Sequence, residues 1–589
     1  MKRYFSVACL SAIVLVFGIP SITQAQTTSE PELPRIYLST PYPATGGTIR
    51  TVAAGGDLQA ALNLAQPGDT IVLQAGAVFV GNFQLPARTG SDWIIIRTSN
   101  TDGIAPEGTR VSPSEVAAMA KIVTPNAAPA IATVAGAHHY RLVGLEIGVA
   151  PAVSINYSIV NLGDGSAAQN SLAMVPHDLV IDRCYIHGNT TGDVSRGVAL
   201  NSASTAVIDS YISECHGLGF DTQAIGGWNG PGPFKIVNNY LEAAGENIMF
   251  GGADPKIANL VPSDIEFRRN FCSRPLTWNP YNPGYAGVHW SVKNIFELKN
   301  AQRVLVDGNV FENNWIDGQA GVAILFTPRN QEGTAPWSVV QDVTFTNNIV
   351  RNSAAGVHFL GRDYNYPSQQ ARRFRIRNNL FYNIGGPQWG GSGRLFLIID
   401  GPADIQIDHN TAFQTGNIVT ADGGQSTGFV YTNNITPNNE YGVIGSGHAP
   451  GNDSLNYYFP ACIFVKNVII AGPSSIYPSG NFFPASVSDV GFVDPASSNY
   501  SLLLTSPYKN AGTDGQDIGA SQEMIAAAIG GQTLPAQPPS NYPPQVSIAA
   551  SAVSGVAPLL INFTASASDP DGSIVSYKWD FGDGQSASG

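Results

Sequence analysis

The chain has 589 residues, of which only 12% are charged; 43 acidic against 30 basic side chains leave a net charge of −13. An acidic chain without a basic cluster excludes nucleic acid as a natural partner. With 63 glycines and so few charges, solvated helices are excluded as the main building element.

Residues 1–25 read as a secretory leader: Lys2 and Arg3, an apolar run from Val7 to Ile19, and Thr23-Gln24-Ala25 before the expected cleavage. The run is short for a bilayer span. The expected product is secreted (extracellular, periplasmic or on the cell surface), monomeric, and without a membrane span once cleaved. Cys184, Cys215, Cys272 and Cys462 remain. Their spacing matches no zinc pattern; pairing stays open, and buried free thiols are the simpler reading.

Residues 26–48, rich in Pro, Thr and Ser, form an extended lead-in. Leu58, Ala61, Leu62 and Ala65 then fall at helical spacing behind the candidate cap Asp57. A short helix here is the natural plug for the open end of a strand solenoid. Residues 70–73, 78–80 and 93–97 are strand-like, and the regular pattern is expected from about Tyr140.

From Leu179 onward one phrase recurs: two apolar residues at period 2, then a polar or small anchor three residues on. The anchors are Cys184, Ser210, Asn239, Asn270, Asn309, Asn348, Asn379, Asn410, Asn434 and Asn467. Period-2 apolarity with a fixed turn residue predicts a stack of short strands. An Asn amide both donates and accepts and tolerates left-handed backbone, so stacked anchors are expected to form a hydrogen-bonded ladder. The solenoid is assigned to residues 49–525, with the repeat fading after Asn467.

Residues 526–545 have a Pro-rich linker composition. Beyond them stand Ala557-Pro558-Leu559, Asp569-Pro570-Asp571-Gly572 and Trp579-Asp580-Phe581-Gly582-Asp583-Gly584. Residues 546–589 thus resemble the first half of a PKD domain, an immunoglobulin-like β-sandwich. The coils, Asn anchors and capping helix together resemble the right-handed parallel β-helix of the pectate-lyase-like superfamily. That resemblance implies an all-β solenoid that binds or cuts acidic polysaccharides along one flank.

Shorter motifs divide the possibilities. Ile407-Asp408-His409-Asn410 resembles a fragment of the pectate lyase signature, but it falls at a ladder turn and the accompanying Arg-x-Pro-x-x-Arg is missing. The Asn-Thr-Asp and Gly-His-Gly of polygalacturonase-like hydrolases are missing too. Ser291 to Trp315 is similar to the Lys-bearing coil of alginate lyases and chondroitinase B-like enzymes.

Aligning the strands before each anchored strand by their inward residues (Phe220/Thr222, Ile248/Phe250, Phe296/Leu298, Ile324/Phe326, Val357/Phe359) sends the alternate residues outward. These are Asp221 and Gln223, Met249 and Gly251, Glu297 and Lys299, Ala323 and Leu325, His358 and Leu360. Elimination from a uronate needs a base for the proton beside the carboxylate and a cation to hold that carboxylate. Lys299 is the first candidate for the base and His358 the second. Glu297 stands beside them, and Arg362 or Arg329 would grip the carboxylate. Asp221, Glu246 and Asp254 are the candidate ligands for Ca2+. Asp221 and Gln223 would meet substrate, and Trp278, Tyr281 and Trp290 of a long insertion would stack on sugar faces. A polysaccharide lyase is therefore expected. A hydrolase using Asp221 and Glu297, and a non-catalytic glycan binder, are the alternatives.

Overall fold

The computed structural model describes residues 29–44, 46–530, 545–552, 554–568, 574–581 and 585–588. The expected leader and most of the expected linker lie outside these residues. The chain divides into two compact units at Gly530. In the first, three long parallel sheets of 14, 13 and 12 strands are stacked coil on coil, giving the expected all-β parallel β-helix. Each full coil passes through the 14-stranded sheet (sheet 1), the 13-stranded sheet (sheet 2) and the 12-stranded sheet (sheet 3) in turn. No helix among the described residues is long and apolar enough to cross a membrane.

Sheet 1 starts with Ile49–Val52 paired to Thr70–Leu73, well before the anchored repeat. The helix Leu58–Leu64 follows its Asp57 cap, which accepts from the Ala60 amide, and buries Leu58 and Leu62 over the first coil. Inside, apolar residues of all three sheets make one continuous core, with Phe267, Phe311 and Phe345 stacked at ring separations of 6.2 and 5.8 Å.

The ladder runs between sheets 1 and 2. Each Asn takes its neighbour's side-chain oxygen twice: Asn348 donates from its backbone and its amide to Asn379 Oδ1, at 2.9 and 3.0 Å, and its own oxygen accepts the same pair from Asn309. A second amide hydrogen goes to a carbonyl one coil back, Val306 O, so the buried side chain is saturated. Two details differ from expectation. The left-handed residue is the one before each anchor, such as Asn347 (φ 56°) or His409 (φ 52°), because the turn reverses there. The ladder also gains a rung, Asn481, which accepts from Asn467.

The lead-in is laid along the outside of sheet 1. Glu30 meets Arg375, the Glu32 amide donates to Asp342, the Arg35 amide to Asp264, Lys235 reaches Leu38 O and Thr40, and Arg141 reaches Thr40 O and Pro41 O. Extended chain advances about 3.3 Å per residue and coils are about 4.8 Å apart, so some eleven residues cross some seven coil spacings. Residues 513–530 return along the ladder turn in the same way. Asn433, Thr411 and Asn378 receive Thr513, Ala520 and Ser521, and the helix Gln522–Ile529 crosses the expected solenoid boundary at 525.

In the second unit Gln545–Ala550 pairs antiparallel with Phe563–Ser568, and Lys578–Asp580 with Ser586–Ser588. Among the described residues the four cysteines are free thiols, three of them buried.

Candidate active site

Most of the candidate residues stand on or beside sheet 3. Its strands do not alternate from their first residue: Ala224 with Ile225, Ile295 with Phe296, and Ala323 with Ile324 turn inward in succession where the chain rounds the corner from sheet 2. Ala323 is therefore a core residue, not an outward one. Outward positions precede and follow these pairs. One column runs Arg196, Gln223, Glu246, Asn294; the next holds Met249, Glu297, Leu325 and His358. Asp221 belongs to neither, because the strand begins only at Gln223.

Asp221, Glu297, Lys299, Arg329 and His358 nevertheless line one open cleft of about 550 Å³, together with Lys293, Gln319, Thr327, Asp363, Tyr364 and Tyr366. Lys299 lies over Gly251, where a Cβ would come within 2.6 Å of the Lys299 Cβ. Its Nζ is 3.6 Å from Glu297 Oε1. Glu297 is itself held by Asn294 at 3.1 Å and Thr327 at 3.3 Å. Burial works to lower the Lys299 pKa, but the carboxylates of Glu297, Glu246 and Asp221 outweigh it, and the ammonium is held above its usual range. His358 goes the other way. Burial, then the Arg329 charge, brings it down to about 4, and its buried Nε2 has no partner.

Three neighbouring side chains of the first column keep buried oxygens without partners: Gln223 Oε1, Glu246 Oε1 and Asn294 Oδ1. Gln223 donates to the other Glu246 oxygen at 2.7 Å. Burial, then the charges of Glu297 and Asp221, pushes the Glu246 carboxyl up to about 7. The three unpaired atoms, two amide oxygens and one carboxylate oxygen, are the donor type that a hard cation such as Ca2+ takes. Arg274, fully buried, fixes this column from behind by donating to Gly245 O at 2.7 Å and to Asn294 O.

Several expected residues lie elsewhere. Asp254 is not with Glu246; its Oδ2 accepts from the Glu332 and Thr334 amides and the Thr334 hydroxyl, tying down a loop. Asp221 is engaged by Lys293 rather than by the column. Arg362 is exposed, donates to Ser368 O at 3.3 Å, and does not line the cleft. Trp278 and Trp290 are buried with Trp315 and Trp389, packing the insertion onto the coils, and the His216 ring stacks on Trp290 at 3.8 Å. Tyr281 stays near half exposed against Gly390, away from the cleft. The aromatic rings at the cleft are Tyr364, 70% exposed, and Tyr366, 47% exposed, with the Arg329 guanidinium 4.4 Å from the Tyr364 ring centroid and 3.2 Å from Asp363. His409 belongs to the ladder turn, where it meets Asp408 and Asp514.

A family profile for the PKD domain matches residues 541–589. Comparison with curated protein sequences gives no match. Among solved structures, similar ones include an alginate lyase from Paenibacillus sp. str. FPU-7 (15% identity, 68% of this chain and 99% of that one, TM-score 0.28). Another is the PL6 family alginate lyase AlyGC (12% identity, 84% of this chain and 59% of that one, TM-score 0.45). A third is the tailspike of E. coli bacteriophage HK620 in complex with a pentasaccharide (10% identity, 73% of this chain and 62% of that one, TM-score 0.33). The fold rests on the three stacked sheets themselves.

Proposed function

We propose that this protein is a secreted polysaccharide lyase that cleaves a uronic-acid-containing polymer by β-elimination. The observation that carries the reading is one cleft holding two proton carriers in opposite states at neutral pH, a neutral His358 and a protonated Lys299. Pairs whose surroundings drive their pKa values apart are how acid and base roles are divided. His358 takes the proton on the carbon beside the uronate carboxylate. Those electrons form the new double bond, the bond to the glycosidic oxygen breaks, and Lys299 returns a proton to that oxygen. Arg329 and Lys293 place cations in the cleft, where they offset Asp363 and Asp221, and Tyr364 and Tyr366 offer faces to sugar rings.

Ca2+ held by Gln223, Glu246 and Asn294 would supply charge to stabilise the substrate carboxylate. Lys299 also responds to Glu246 and Glu297: without their charges, burial and the Arg329 charge, which lower its pKa, are opposed by Asp221 alone among the named carboxylates. This favours a second assignment, in which Lys299 is the base once those carboxylates are neutralised. A hydrolase is less well supported. Of the pair it would use, Asp221 is bound to Lys293, and Glu297 is buried and bonded to Asn294, Thr327 and Lys299.

A panel of uronic-acid polymers, with Ca2+ or with chelator, tests the reading. Products absorbing in the ultraviolet through a new double bond are expected. Reducing ends without that absorbance would replace it with a hydrolase, and no products with retained binding would replace it with a glycan binder.

A further inference from the structure

A second left-handed position recurs where the strands of sheet 1 begin, and in two successive coils it holds His139 (φ 59°) and Asp178 (φ 51°). Their predecessors, His138 and His177, are register partners on the adjacent strands His138–Val143 and His177–Asp182. Three of the nine histidines of the chain therefore gather in one patch, and none of them lines the sheet 3 cleft. We propose that His139, His177 and Asp178 bind one divalent transition-metal ion, of the zinc, nickel or copper class, and so clip these two coils together.

The geometry is specific. One ring nitrogen from each histidine and one Asp178 oxygen lie within 4.8 Å of one another, the sole such gathering of His, Cys, Asp or Glu among the described residues. Ligands on a tetrahedral ion with bonds near 2.0–2.1 Å are roughly 3.3 Å apart, so small side-chain rotations complete the site. Two imidazoles with one carboxylate select borderline metals over Ca2+ or Mg2+, which prefer all-oxygen sets.

The surroundings resemble the outer support of a metal centre. His138 Nδ1 is 2.8 Å from His139 Nδ1, so one of these nitrogens donates to the other, and the remaining His139 nitrogen is oriented by that bond. The His138 and His177 rings stack at 4.8 Å and 11°, and Trp93 closes another side with its ring 5.3 Å from His139. Asp178 and His177 are 42% or less exposed, which leaves solvent access for the ion and for water on its open positions.

The test uses the full chain, stripped with chelator and held in Ca2+ to occupy oxygen-rich sites, then titrated with Zn2+ by calorimetry. One equivalent is expected to bind, and His177→Ala or Asp178→Ala should weaken it at least tenfold. Undiminished binding in both variants, or no saturable Zn2+ binding by the parent chain, overturns the proposal. Should either variant not fold, Cu2+ quenching of intrinsic fluorescence replaces the comparison. A saturable component present in the parent and missing in Trp93→Phe supports the site, and equal quenching in both rejects it.

Discussion

Glu297 stands on a short strand, Phe296–Leu298, and Lys299 directly follows it, yet the ammonium folds back to within 3.6 Å of the carboxylate instead of extending into solvent. That contact, with Glu246 and Asp221 behind it, keeps Lys299 charged in the free protein. Lys299→Ala should lower kcat by about 100-fold or more, as loss of a proton-transfer group does, with little change in Tm. Steady-state kinetics beside a melting curve checks this; retained turnover would remove Lys299 from the reaction.

The two proton carriers predict distinct pH profiles. If His358 is the base, the acidic limb of kcat/KM reflects its low pKa, and His358→Gln abolishes that limb along with most activity. If Lys299 is the base, Glu297→Gln shifts the limb to lower pH by removing a charge that raises the Lys299 pKa. A profile that Glu297→Gln leaves unmoved excludes the second assignment.

His358 also leaves a mark on stability. Its folded pKa, about 4, lies below the unfolded value of 6.5, so the unfolded chain binds the extra proton first. Stability is therefore full above about pH 6.5 and is lost as pH falls towards 4. His358→Gln should flatten this part of a Tm-against-pH curve. The same slope in the variant would place the titration elsewhere.

Glu246 has the opposite sign. With its folded pKa raised to about 7 from 4.5, it adds stability at low pH that is lost as pH rises through 7. Ca2+ needs the ionised form, so the Tm rise it produces should be larger at pH 8 than at pH 6, and absent in Glu246→Gln. An equal rise at both values would mean that the cation binds elsewhere.

Two aromatic substitutions separate packing from recognition. Trp278→Ala removes a buried ring and should cost about 3–5 kcal/mol of stability. Tyr364→Ala removes an exposed ring and should raise KM severalfold with the melt unchanged. The reverse pattern would return the stacking role to the insertion.

The ladder gives a prediction independent of function. Asn348→Leu leaves the backbone and side-chain amides of Asn309 without their acceptor inside the core, and takes one donor each from Val306 O and Asn379 Oδ1, at about 1–3 kcal/mol, and calorimetry should show the midpoint fall.

How much of this was legible follows from which patterns sequence can carry. The Asn anchors, the Asp57-capped helix and the outward placement of Glu297, Lys299 and His358 follow from period-2 apolarity and fixed turn residues, which survive in a one-dimensional reading. Gln223 and Asn294 do not stand out as candidate oxygen donors in sequence because an amide reads as a turn or ladder residue until its unpaired oxygen is seen. Asp221 was misaligned because two consecutive inward residues at the sheet 2 corner break the alternation. The tryptophans of the insertion misled because aromatic rings among prolines and glycines look the same in sequence whether they face sugar or core. Tyr364 and Tyr366 sit in a short loop next to Arg362 whose direction only the coil geometry reveals.

Contacts in a stack of coils are ordinarily made only with the coil above and the coil below, so such a molecule can fray from either end one layer at a time. Here Glu30 meets Arg375, 345 positions away, and Asn433 holds Thr513 while the terminal helix reaches back to Gly308. Peeling an end layer therefore means lifting a cord that is also fastened to the middle. The consequence is a solenoid whose coils gain cooperativity from outside the core, keeping the sheet 3 groove in register from coil to coil.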